Sequence, residues 1–152
     1  MTYRLESEIT VHRPLEEVFD FFADATNLES ITPPELHFEI LPPLPNEITA
    51  GTHIRYRMSL FGIPFRWLTE ISVWEERIRF VDRQLKGPFK LWVHEHRFES
   101  LGPTETRVKD LVTYSLPLEP IGRLAHPIVR QRLNRIFAYR SERVPELLSP
   151  RR

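Results

Sequence analysis

A chain of 152 residues, 41% hydrophobic and 28% charged, is long enough to bury a core and falls outside the compositions of disordered and membrane-embedded chains. It has no cysteine, which excludes disulfides, thiolate catalysis and cysteine-ligated metal. Its formal net charge is zero, yet residues 1–50 carry ten acidic side chains against Arg4 and Arg13, and residues 121–152 carry eight arginines against Glu142 and Glu146. Those arginines are spaced along a helical pattern, so the acidic part is expected to pack beside the basic part within one domain spanning 1–152. No apolar run approaches the roughly 20 residues that span a bilayer. The opening Met1-Thr2-Tyr3-Arg4-Leu5-Glu6 lacks a signal-peptide pattern, so a cytoplasmic location without stable membrane insertion is expected.

Tyr3, Leu5, Ile9 and Val11 alternate with polar residues, the pattern of a half-buried strand. Pro14 suits the first turn of a helix, in which Leu15, Val18, Phe19 and Phe22 recur at helical spacing. A second short helix is expected over 25–31, stopped by Thr32-Pro33-Pro34. A short strand over 36–41 and a proline-rich surface connector lead into a meander. Its strands run over 52–60, 65–74, 78–85, 89–101 and 105–116, each pair separated by turn residues. Ile54, Tyr56, Met58 and Leu60 share one face of the first of these, and Trp67 and Trp74 fall on opposite faces of the next, so at most one of them reaches an interior. Residues 121–148 read as one long helix with Pro127 near its start. Its apolar stripe is Leu124, Ala125, Ile128, Val129, Leu133, Ile136 and Phe137, and its wet side is Arg130, Gln131, Asn134 and Arg135.

Strand, two short helices, six strands and a long helix predict an α+β fold, with a curved antiparallel sheet of about seven strands wrapped on the C-terminal helix. A bent sheet holding a helix leaves room for a pocket at its open end.

The last hairpin carries the most specific pattern. With a turn at Gly102-Pro103-Thr104, the face bearing Trp92, His94, His96 and Phe98 meets the face bearing Val108, Asp110, Val112 and Tyr114. His96 then lies opposite Asp110, His94 opposite Val112, and Trp92 opposite Tyr114; a slip of two residues would put His94 or Phe98 opposite Asp110. Three readings stay open for this cluster: a satisfied buried polar pair, a polar anchor at the floor of an apolar pocket, or a two-histidine, one-carboxylate metal site made of His94, His96 and Asp110. The ligand-binding candidates are Trp92, His94, His96, Phe98, Asp110, Val112, Tyr114, Phe80, Asp82, Tyr56 and Met58. His96, His94 and Asp110 are the catalytic candidates; no metal and no cofactor are expected. Gln84 shares the face of Phe80 and Asp82, while His12, His37, His53 and His126 read as solvated. No serine nucleophile, glycine-rich phosphate loop or nucleic-acid motif stands out, and with zero net charge no nucleic-acid partner is expected.

The strand ending in Val11-His12-Arg13-Pro14 followed by Glu17-Val18-Phe19-Asp20-Phe21-Phe22 resembles the start of the START-like, or SRPBCC, superfamily with its helix-grip fold. Gly87-Pro88-Phe89, residues 92–98, Thr106, Asp110, Tyr114 and Leu116-Pro117 resemble a bacterial ligand-binding subfamily, sometimes labelled by association with nucleotide-sugar epimerases or cell-division inhibitors. The resemblance covers nearly the whole chain. It implies binding of a hydrophobic or amphipathic small molecule, such as a lipid, quinone or polyketide-like compound, by a monomer or homodimer. The alternative that it leaves open is a cyclase, dehydratase or isomerase using a His–Asp pair. The Rieske branch is excluded, because its centre needs cysteine.

Overall fold

The computed structural model describes residues 1–45 and 47–148. The alternating N-terminal residues form β1 (Thr2–Val11). Directly behind Pro14, α1 (Leu15–Ala23) places Glu16 and Glu17 at the positive end of its dipole and buries Val18, Phe19 and Phe22. The second helix is shorter than its pattern predicts: a 3-10 turn over Ala25–Leu28, and a further one over Pro34–Leu36. Local side chains take the backbone groups that a longer helix would use, since Asn27 donates to the Phe21 carbonyl and Thr32 to that of Leu28. His37, in the left-handed region at φ 49°, then delays the next strand, so β2 is only Glu39–Leu41.

The remaining strands are β3 (His53–Leu60), β4 (Ile63–Glu75), β5 (Arg79–Lys86), β6 (Leu91–Gly102) and β7 (Glu105–Ser115). Among the described residues they form one seven-stranded antiparallel sheet in the order β1-β7-β6-β5-β4-β3-β2. The register of the last hairpin is the expected one, with His96 opposite Asp110, His94 opposite Val112 and Trp92 opposite Tyr114. In β4, however, the pairing shifts between Ile71 and Val73 and leaves Ser72 as a bulge. A bulge adds one residue and so reverses which face the following side chains use. Trp67, Thr69 and Ile71 point inward before it and Trp74 points inward after it, so both tryptophans reach the interior, contrary to the simple alternation.

Leu116 and Pro117 lead to α2 (Ile121–Leu147), which lies across the concave face. Its start packs so closely that a Cβ on Gly122 would meet the Pro117 carbonyl oxygen at 2.5 Å. Leu133, Phe137 and Val144 are buried, and Ala125, Val129 and Ile136 face the space beneath the helix. Leu124 and Ile128, expected to be buried with them, are instead 81% and 53% exposed. The inward line runs through Ala125, Val129, Leu133 and Phe137, and at about 100° per residue the neighbouring Leu124 and Ile128 rotate out of it.

Two apolar clusters hold the layers together. In one, Val18, Phe19 and Phe22 of α1 meet Phe80, Phe98 and Val108 of the sheet and Val144 of α2. In the other, Leu133 and Phe137 meet Val112, Tyr114 and Leu116. The acidic and basic regions touch where Arg135 Nε reaches Glu35 at 3.0 Å and Arg143 Nε reaches the Ser30 carbonyl at 3.4 Å. No helix among the described residues is long and apolar enough to cross a membrane.

Candidate functional site

Between α2 and the strands β3 to β6 lies a cavity of about 390 Å³. Most of its wall is aliphatic or aromatic, including Ile54, Met58, Trp67, Trp74, Phe89 and Ile136. Its polar side chains gather mainly at one end, where Asp82 of β5, His94 and His96 of β6, and Arg140 of α2 converge.

The sheet register builds this end. Asp82 lies opposite His94 across β5 and β6, and His96 lies opposite Asp110 across β6 and β7. The shortest contacts run on the diagonals: His94 Nε2 is 2.7 Å from Asp110 Oδ1, and His96 Nε2 is 2.6 Å from Asp82 Oδ2. Sheet twist favours such diagonal pairs between long side chains. The directly opposed pairs are looser, at 3.3 Å from His96 Nδ1 to Asp110 Oδ1 and 3.8 Å from His94 Nδ1 to Asp82 Oδ2. The two imidazoles stack with centroids 3.7 Å apart, and Phe80 stacks on the other side of His96 at 4.2 Å. The expected His96–Asp110 pair is therefore one edge of a four-membered network in which Asp82 is an equal partner.

Charge is distributed unevenly over the network. Burial lowers the pKa of His94 and the neighbouring His96 charge lowers it further, outweighing its bond to Asp110, so His94 favours the neutral form with Nε2–H donating. Burial also acts against a charge on His96, but the two carboxylates that flank it raise its pKa, which favours an imidazolium between them. Burial opposes ionisation of Asp110 and Asp82 as well, yet the histidines and Arg140 hold both carboxyls below the usual range. Arg140 Nη1 stands 3.6 Å from Asp110 Oδ1, and the guanidinium lies over the Phe137 ring at 5.1 Å. Among the described residues its Nε and Nη1 are buried without a hydrogen-bond partner. On the cavity wall, Tyr56 accepts a bond from Thr69 at 3.4 Å and stacks on Trp67. Burial and the Asp82 charge push its phenol pKa up.

Of the residues singled out in the sequence, Tyr56, Met58, Phe80, Asp82, Trp92, His94 and His96 line the cavity. Asp110 does not line the cavity; it sits behind His94, His96 and Arg140, which do. Phe98, Val112 and Tyr114 do not line it. Phe98 packs under α1 against Phe19 and Phe22, Val112 is fully buried, and the Tyr114 hydroxyl bonds His126 Nε2 at 2.9 Å. His126, expected to be solvated, is therefore engaged, and it also stacks on Tyr3 at 3.5 Å. Gln84 is not among the cavity-lining residues and bridges the β5–β6 turn through the Phe89 backbone. His12, His37 and His53 are exposed as expected.

Arg140 was not singled out from the sequence, although a signal was present. It follows Leu133 and Phe137 at i+7 and i+3, so it is a charged residue on the buried face of the helix. The bulge at Ser72 conceals the second inward tryptophan, Trp74. Asp82, His94 and His96 offer three possible metal-ligating atoms within 4.8 Å of one another, with Asp82 in the place that the sequence suggested for Asp110. The positive charge of Arg140 acts on both carboxylates and works against a cation there.

The family described as polyketide cyclase / dehydrase and lipid transport matches residues 11–138. No curated protein matches the chain. Among solved structures, the Zhui aromatase/cyclase from Streptomyces sp. R1128 aligns with a TM-score of 0.79 at 18% identity, covering 97% of this chain and 94% of that one. A START superfamily protein from Mycobacterium smegmatis aligns with a TM-score of 0.72 at 16% identity, covering 95% and 98%. A protein from Thermus thermophilus aligns with a TM-score of 0.70 at 22% identity, covering 97% and 100%. At these identities the structural likeness establishes the helix-grip fold and leaves function to the site.

Proposed function

Because the chain belongs to the polyketide cyclase / dehydrase and lipid transport family, we propose that it acts as one binding domain for a hydrophobic or amphipathic small molecule of lipid, quinone or polyketide-like character. The observation that carries this is the cavity itself: about 390 Å³ of largely apolar space with Asp82, His94, His96 and Arg140 gathered at one end and Arg132 at the mouth. That size and that division of polarity suit a small ligand. Arg140 adds a direction. A buried guanidinium with two N–H groups lacking partners is satisfied by an oxygen acceptor, so the occupant carries an oxygen at one end of an apolar body. Native mass spectrometry of the protein mixed with a fatty acid, a quinone and an alkane of similar length tests this. Retention of the oxygen-bearing compounds over the alkane is expected, and retention of none would overturn the binding role.

A second reading, a cyclase, dehydratase or isomerase, is favoured by one observation: His94 and His96 stack, both face the cavity, and their pKa values are shifted in opposite directions. A neutral imidazole beside an imidazolium provides a proton acceptor and a proton donor in one dry site. In a turnover assay, His96→Gln and Asp82→Asn are then expected to lower the rate by about 10²–10⁴. Turnover unchanged in both variants would remove this reading.

A further inference from the structure

The sequence marks Leu124 and Ile128 as part of a buried stripe, yet the structure leaves them in solvent, and they are not isolated. They share a helix face with Ile121, which lines the mouth of the cavity and is 65% exposed. Leu118, just before the helix, also lines the mouth and is 76% exposed. Across the opening, at the tip of the β3–β4 hairpin, Phe61 and Ile63 are exposed as well. The guanidinium of Arg132 lies 5.1 Å from the Phe61 ring and joins the hairpin tip to the helix. Phe61 and Leu118 both hold left-handed backbone, at φ 55° and 59°. Such backbone is costly for large side chains, and here it accompanies outward display of apolar groups. The result is a group of exposed apolar side chains at and beside the cavity entrance, of the kind that marks an interaction surface.

Charge selects the occupant. From Ile121 to Ser141, α2 carries Arg123, Arg130, Arg132, Arg135 and Arg140 and no acidic residue. Arg140 is turned inward, and Arg123 and Arg135 are paired with Glu119 and Glu35. Arg130 and Arg132 remain exposed beside this apolar group. A second copy placed on this face about a two-fold axis would bring the same arginines together without acids from the helix to meet them. An anionic lipid surface instead accepts aliphatic side chains into its interface and pairs arginines with its phosphates.

We infer that the cavity mouth, formed by Phe61, Leu118, Ile121, Leu124, Ile128 and Arg132, docks reversibly on an anionic phospholipid surface. Docking is peripheral, with no spanning helix, and it places the cavity entrance against the acyl region. It goes beyond the binding function above and does not depend on which molecule fills the cavity.

The test is co-sedimentation with phosphatidylcholine vesicles, with and without phosphatidylglycerol, at low and high salt. The protein is expected to pellet with the anionic vesicles at low salt and to be released by salt. Leu124→Glu combined with Ile128→Glu should weaken vesicle affinity about tenfold or more. Both positions are exposed, so the variant should keep its thermal melt and its binding of a soluble cavity ligand. No sedimentation with either vesicle, or sedimentation unchanged in the variant, would overturn the inference. So would a dimer, seen by analytical ultracentrifugation, that the double variant dissolves, because the face would then belong to a second copy.

Discussion

The two halves of α2 invert the usual relation between polarity and burial. Its C-terminal half buries Leu133, Phe137 and Val144 and draws a charged residue, Arg140, inward with them. Its N-terminal half, with the same kind of aliphatic sequence, leaves Ile121, Leu124 and Ile128 in solvent. The C-terminal half is packed against the sheet and α1, where Leu133, Phe137 and Val144 find apolar partners and the guanidinium finds Asp110. The N-terminal half stands over the cavity, where Ala125 and Val129 line the space and His126 meets Tyr3 and Tyr114, while Leu124 and Ile128 turn to solvent. Burial along this helix is thus set by where the sheet supports it, more than by the polarity of its residues.

The largest effect that this contrast predicts comes from the charged end. Asp110→Ala would remove the carboxylate that meets His94 and Arg140 and one of the two that flank His96, and should destabilise the fold by about 3–5 kcal/mol, measured by urea denaturation. A loss no greater than that of a surface substitution would mean that the network is hydrated rather than structural.

One substitution made in each half compares them directly. Leu133→Ala should cost about 2–5 kcal/mol, through lost burial and the cavity left behind. Leu124→Ala should change stability by no more than about 0.5 kcal/mol. Similar costs at both positions would show that the N-terminal half is packed in solution, against this account.

The smallest expected effect is on the pH profile. His96 holds its proton more tightly in the folded state than at its ordinary 6.5, so its stabilisation is full below 6.5 and is lost as pH rises through the raised folded value. His94 has the opposite sign: its contribution is full above 6.5 and is lost as pH falls through its lowered folded value. Stability should therefore peak near pH 6.5 and fall on either side of it. In His96→Gln the alkaline limb should disappear from the urea midpoints.

Much of this molecule is legible in its sequence because local pattern and turn chemistry agree. Period-two alternation locates β1 and β3, and alternation in β6 and β7 with the two-residue turn after Gly102 leads directly to the observed register of the last hairpin. What sequence does not carry is the consequence of irregularity. Ser72 looks like any other strand residue, yet as a bulge it turns Trp74 inward and gives the cavity a second indole wall. Side-chain partners are a further step beyond register: His96 lies opposite Asp110, but twist gives its short bond to Asp82 and gives Asp110 to His94. Arg140 needed the helix phase to be followed past Phe137, where a charge on an apolar face announced a buried counter-ion. The exposure of Leu124 and Ile128 depended on how far the sheet extends beneath the helix, which no local pattern encodes.

On the proposed function, the space under α2 receives an apolar molecule whose oxygen end meets Arg140. Isothermal titration of a retained fatty acid or quinone into the parent protein and into Ile136→Trp, whose indole would occupy the cavity, tests it most directly. The account predicts one-to-one binding in the parent and its loss in Ile136→Trp, with the urea midpoint of the variant little changed. Equal binding by both proteins would place the ligand elsewhere and contradict it.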